Sequence, residues 1–233
     1  MSSIPAYWTD AGILDVFDTY YSFMAHEMLS LVERSHEFCE ELHNLLHGAV
    51  LPSDRRSLAS AACLHLALEH HRAVVLLYTT PLVVSACAMI RIQLEAYVKG
   101  AWLNRCAQDS DLNRFEKGKE LPLFGEMLNG LEKALPGYGP EWESIKQEAW
   151  RPLSNYVHSG ADQALRRVQG EELAASGSSA EIAGGLYFAS RLGALVALEI
   201  SILADSASLS KRVGHLYASY SANTKTTGWD GQP

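Results

Sequence analysis

The chain lacks most of the features that announce a function. Its four cysteines, Cys39, Cys63, Cys87 and Cys106, form no Cys-x-x-Cys pair, which excludes the common zinc-ribbon and redox-dithiol patterns. Each lies among apolar residues in a helical pattern and reads as a free core thiol in a reducing compartment. Charged residues make up only 20% of the chain and the net charge is -8. A whole-molecule attraction to nucleic acid or anionic lipid is therefore excluded, and any such contact rests on a local patch. Gly137-x-Gly139 runs into Pro140 instead of following a strand, so it is no phosphate cradle. A Gly-x-Ser-x-Gly elbow and a Cys/His nucleophile frame are also missing. Residues 1–10 lack the basic-then-apolar layout of a secretory signal. The longest apolar runs, 73–90 and 193–204, are broken by Tyr78-Thr79-Thr80-Pro81 and by Glu199, which argues against a membrane span. The expectation is a cytoplasmic protein with no membrane partner.

What the chain does have is 233 residues, 48% of them apolar, enough to bury one substantial core. Period-two alternation bounded by turn signals is absent, and apolar residues recur at helical steps instead. Thr9 or Asp10 is placed to cap a first helix reaching His47, with Gly48 to stop it. Ser53 or Asp54 opens a second helix to Tyr78, and Thr80 followed by Pro81 is read as the cap and first turn of a third, to Cys106. A polar segment, 108–120, precedes an amphipathic piece at 124–135, and Pro136-Gly137-Tyr138-Gly139-Pro140 breaks the chain. Helical pattern resumes at 141–168, a small-residue loop follows at 170–179, and two more helices are expected at 181–204 and 205–220. Gly184, Gly185 and Gly193 suit close helix packing. These elements predict an all-α, antiparallel bundle of five to six helices in a single domain, 1–220, with 221–233 too poor in apolar residues to fold alone.

The chemically richest stretch is Trp150-Arg151-Pro152-Leu153-Ser154-Asn155-Tyr156-Val157-His158-Ser159-Gly160. On a helix of about 3.6 residues per turn, Arg151 and His158 fall two turns apart on one face, with Ser154 and Asn155 between them. Arginine's planar fork suits a phosphate, and imidazole is the residue type suited to carrying a proton near neutrality. Ser154, Asn155 and Tyr156 would orient a ribose or a leaving oxygen. The same residues admit a structural role: Arg151 at a kink before Pro152, and His158 closing a helix end before Ser159-Gly160. Lys146, Arg166 and Arg167 form a thin basic rim, offset by Glu143, Glu148 and Asp162.

Two further sets stand out. Arg91 and Glu95, one turn apart in an apolar helix, should pair with each other or with the central stretch, since an unpaired charge there is costly. Glu33, His36, Glu40, His43 and His47 recur at steps of three or four, and His65, Glu69 and His70 follow on the next helix. A di-iron bundle draws ligands from four helices, and the third helix offers only Glu95, so this stripe is read as a solvated face. No metal or cofactor is expected.

The helix Arg91-Ile92-Gln93-Leu94-Glu95-Ala96-Tyr97, taken with Arg151 and Tyr156-Val157-His158-Ser159-Gly160, resembles an uncharacterised family of bacterial helical proteins. That family is in turn similar to the HEPN superfamily of helical bundles. The resemblance spans roughly 58–204 and rests on the HEPN signature of an Arg, four to six residues and a His, which Arg151 and His158 meet at its long limit. Pro152 stands where active members often carry Asn, Asp or His. The resemblance implies a metal-independent endoribonuclease or a nucleotide-binding domain in defence or toxin-antitoxin systems, with an antitoxin as partner. It equally allows a non-catalytic interaction or regulatory module. A homodimer is expected, because one Arg and one His on a single convex helix make a poor pocket and two copies would make a cleft. The helix bearing Leu186, Phe188, Leu192, Leu195, Val196, Leu198, Ile200 and Leu203 also has hydrophobes around most of its circumference and needs cover on nearly every side.

Overall fold

The computed structural model describes residues 26–225, apart from Pro81, 139–149 other than Trp142 and Ile145, Ser159, 166–167, 170–171 and 174–176. The helices are α1 (His26–Leu46), α2 (Arg55–Tyr78), α3 (Val83–Arg105), α4 (Asp109–Glu116), α5 (Phe124–Ala134), α6 (Arg151–Val157), α7 (Ala161–Leu165), α8 (Ser179–Leu203) and α9 (Ala207–Lys225). The all-helical class is as expected. A two-residue antiparallel pairing, Val168–Gln169 with Glu172–Leu173, is the one sheet element among the described residues.

Local chemistry sets most boundaries. Gly48 takes φ +78 just past α1, a left-handed conformation that glycine adopts without strain. The Asp54 carboxylate accepts the Ser57 backbone N–H at 3.1 Å and its hydroxyl at 2.6 Å, capping α2. Ser178 and Glu181 cap α8 reciprocally: the Ser178 N–H donates to Glu181 at 2.9 Å, and the Glu181 N–H donates to the Ser178 hydroxyl at 3.2 Å.

Several expectations are corrected. Thr80 does not open α3. Its hydroxyl donates back to the Leu77 carbonyl at 2.7 Å, beside the equivalent Thr79–Leu76 bond, because the last carbonyls of α2 need donors. The polar segment 108–120 contains α4, stabilised by the Gln108 N–H donating to Asp111 at 2.8 Å and burying only Leu112. Arg55 clamps this helix to the start of α2 through a bidentate bond to Glu116 at 2.8 Å and a bond to Asn113 at 2.7 Å. The helix expected across 141–168 is not continuous: α6 ends before His158, and the Gly160 N–H reaches back to the Asn155 carbonyl at 2.9 Å. Finally, α9 runs to Lys225; residues 10–25 of the first expected helix and 226–233 of the expected tail lie outside the described residues.

Paired residues give the helix directions. Ser60 donates to the Gly100 carbonyl and Tyr78 meets Cys87, so α2 and α3 form an antiparallel hairpin. His71 faces Gly193 and Tyr78 faces Gly185, so α8 is antiparallel to α2. Gln93 donates to the Ala189 carbonyl and Arg105 to Glu199, so α8 runs parallel to α3. The bundle is thus not antiparallel throughout. The chain between α3 and α8 is a long crossover, which frees α8 from the alternation that short loops impose. Gly185 is required where it stands, since a Cβ there would lie 1.9 Å from the Tyr78 hydroxyl.

Candidate functional site

The central stretch is a small helix fastened to the bundle at three points. Trp150, in helical backbone conformation, precedes α6. Its ring lies on Phe124 of α5, with centroids 3.5 Å apart and planes 8° from parallel. The Arg91 guanidinium of α3 sits over the Trp150 ring at 2.9 Å, with Phe124 at 5.3 Å, and donates to Glu95 one turn on. Arg91 is 8% exposed and Glu95 49%, so the cation is buried between an aromatic face and a carboxylate that reaches solvent. Burial pulls the Arg91 pKa down, and the Glu95 charge opposes that pull. Arg91 and Glu95 therefore meet each other, and Arg91 also meets the first residue of the central stretch.

The third fastening is Tyr156, whose hydroxyl donates to Glu181 at 2.9 Å. Glu181 also closes the α8 cap, so one carboxylate ties the α8 N-terminus to α6. Ser154 donates to the Trp150 carbonyl at 2.7 Å, a bond within its own helix. Asn155 is exposed. His158 is exposed at the C-terminal cap of α6, and its backbone N–H donates to the Ser154 carbonyl at 3.1 Å. Arg151 opens the helix two turns earlier, and its side chain lies outside the described ones, as do those of Lys146, Arg166, Arg167, Glu143, Glu148 and Asp162. Asn155 and His158 are thus exposed, while the Ser154 and Tyr156 hydroxyls each donate within the fold.

The Glu/His stripe of α1 does not converge. Glu40 pairs with Arg72 at 2.9 Å, while Glu33, His36 and His47 are exposed. Among the described residues no group of three or more His, Cys, Asp or Glu comes together as a metal site. The described cysteines are free, and burial pushes the Cys39 thiol up to about 12, which removes it as a nucleophile.

Two buried polar sites were not singled out from the sequence. Glu199 of α8 is buried beneath a fork from Arg105, with two bonds of 2.8 Å, and Asn104 adds a third of 2.8 Å. His71 of α2 is fully buried, and neither of its ring nitrogens has a hydrogen-bond partner among the described residues. It lies edge-on to Phe38, at 6.1 Å, and under Gly193, where a Cβ would come within 2.7 Å of Nδ1. The Ser190 hydroxyl, one turn before Gly193, is also buried and lies against the Tyr220 hydroxyl. His71 sits beside His70 in the sequence but faces inward, a distinction that only the phase of the apolar stripe carries.

Of the helices among the described residues, α8 is long and apolar enough to cross a membrane, but 67% of the relevant window is buried inside the bundle. The fold and its docked central helix define an all-helical bundle protein with a crossover between α3 and α8. The chain belongs to the DUF6988 family, a family of unknown function, whose model matches residues 64–226. The match takes in Arg91, Glu95 and the whole central stretch, while α1 with its Glu/His stripe precedes it. No curated protein and no solved structure matches the chain.

Proposed function

We propose that the protein is a HEPN-like, metal-independent endoribonuclease of a defence or toxin-antitoxin system, working in the cytoplasm as a homodimer with α6 of each copy near the two-fold axis. One observation carries the reading: a separate two-turn helix, fastened at Trp150 and Tyr156, begins at Arg151 and is followed at its C-cap by an exposed His158. Rigid fastening of the supports with an outward imidazole is what positioned proton transfer needs.

In this scheme His158 takes the ribose 2′-hydroxyl proton as that oxygen attacks phosphorus. Arg151 holds the phosphoryl oxygens as charge develops on them. The 5′-oxygen leaves with a proton from His158 of the other copy, giving a 2′,3′-cyclic phosphate and a 5′-hydroxyl. Arg91 and Glu95 support the platform. Ser154 and Tyr156, assigned to substrate by the sequence reading, serve the helix instead, which leaves Asn155 as the orienting side chain.

A second reading, a non-catalytic interaction or regulatory module, draws support from the same two bonds, because residues held for structure are no longer held for substrate. The experiment that separates the readings is cleavage of a labelled single-stranded RNA by purified wild type, His158→Ala and Arg151→Ala. Loss of cleavage in both variants, with stability within about 1 kcal/mol of wild type as for surface changes, is the expected result. A wild-type protein that is dimeric and folded yet leaves RNA intact selects the module.

A further inference from the structure

An open groove of about 540 Å³ lies between α1 and α9, lined by Glu41, Asn44 and Leu45 on one side and by Lys211, Arg212, His215 and Leu216 on the other. Each set runs along one side of its helix through steps of three and four residues, 41 to 44 and 45, and 211 and 212 to 215 and 216. The walls are fixed by packing further along the same two helices. The Phe38 ring stacks on Tyr220 with centroids 4.6 Å apart, and the Ser35 and Tyr220 hydroxyls meet at 2.9 Å. Glu41, Lys211, Arg212 and His215 are all exposed, and among the described residues none of them forms an ion pair. In a chain of net charge -8 this groove thus has two cations on one wall and a carboxylate on the other, none of them ion-paired among the described residues, with half-buried leucines between. Its volume falls within the range of about 300–1,000 Å³ typical of ligand sites.

Charge of both signs across an apolar floor is selective. A polyanion such as RNA would gain from Lys211 and Arg212 but be repelled by Glu41. A ligand with an anion at one end, a cation at the other and an apolar group between satisfies every wall. We propose that this groove seats an extended peptide segment of a partner protein. An acidic residue meets Lys211 and Arg212, an apolar side chain rests on Leu45 and Leu216, and a basic residue meets Glu41. The inference is independent of the ribonuclease reading, since the main contacts of α6 among the described residues are with α3, α7 and the start of α8, away from this face.

The test is fluorescence anisotropy with the full chain and three labelled probes: the peptide Lys-Leu-Glu-Asp, the all-acidic peptide Glu-Leu-Glu-Asp and a short single-stranded RNA. The dipolar peptide is expected to saturate and to bind more tightly than the other two. Lys211→Glu combined with Arg212→Glu should weaken it by about tenfold or more, and Glu41→Lys by about fivefold, with preference passing to the all-acidic peptide. Circular dichroism checks that each variant keeps its helices. Failure of the dipolar peptide to saturate at millimolar concentration with natively folded protein would overturn the proposal. So would binding of the all-acidic peptide or RNA at least as tight and indifferent to Glu41→Lys, which marks a plain anion patch.

Discussion

Arg105→Ala should destabilise the fold by about 3–5 kcal/mol, the cost expected when one partner of a buried ion pair is removed and the other is left uncompensated. The side chain of Glu199 is 7% exposed and that of Arg105 21%, so the carboxylate left behind has little water to fall back on. Glu199 belongs to the most apolar of the long helices, against α3, and its carboxylate is satisfied by the Arg105 fork and the Asn104 amide together. Removing the fork leaves a carboxylate held by one neutral donor in a low-dielectric setting. The pair also fixes register, since Glu199 meets Arg105 only when α3 and α8 run parallel in the observed alignment. Arg105→Leu with Glu199→Leu should recover much of the loss, because apolar residues of similar volume often replace a buried pair at little cost. Urea unfolding of the three proteins measures both effects. A cost below about 1 kcal/mol for Arg105→Ala would show that the pair is solvated in solution.

His71 makes acid the second large perturbation. Burial, with no hydrogen-bond partner among the described residues, pulls its pKa from the ordinary value of 6.5 to about 4, because the charged imidazolium cannot be solvated there. Between these values the unfolded chain binds a proton that the folded chain refuses, so stability rises with pH. The contribution is fully present above pH 6.5, is lost progressively as pH falls, and levels off below about pH 4. At about 1.4 kcal/mol per pKa unit, the full loss is about 3 kcal/mol. Carboxylates titrate in the same window, so the comparison is with His71→Leu, which removes an unpaired imidazole and should lie within about 1.5 kcal/mol of wild type at pH 7. Wild type should then lose about 3 kcal/mol relative to the variant between pH 6.5 and 4. Parallel stability curves would show that the imidazole finds a partner or solvent.

The long helices were legible because their signals are local. Asp54 before α2 and the apolar phase of α8 both lie within a few residues of what they determine. Thr80 was misread because a hydroxyl next to a proline can serve the helix behind it or the one ahead, and the choice depends on which carbonyls are left without donors. Helix α4 was missed because it buries only Leu112, with Phe115 partly covered, and depends on Arg55, more than fifty residues earlier, for its anchorage. The parallel course of α8 against α3 is a property of the crossover and has no local trace.

The central stretch was legible as a cluster of residue types, and its anchors were not. Arg91 was marked for a partner, but the Trp150–Phe124 stack that completes its surroundings joins α3, α5 and the entry to α6. Ser154 and Tyr156 look like substrate ligands in a string of letters. In three dimensions one bonds its own helix and the other closes on Glu181. The Ser178-x-x-Glu181 capping pattern was open to reading, but not its link to Tyr156. Glu199 was noticed as a break in an apolar run without its partner, and Lys211, Arg212 and His215 gain meaning only when α1 is laid beside α9.

The end groups of RNA incubated with the purified wild-type protein in excess chelator test the proposed ribonuclease activity most directly. The expected products are fragments bearing 2′,3′-cyclic phosphate and 5′-hydroxyl termini, absent when His158→Ala replaces wild type. Intact RNA, cleavage that requires added divalent metal, or fragments ending in 3′-hydroxyl and 5′-phosphate would contradict that proposal.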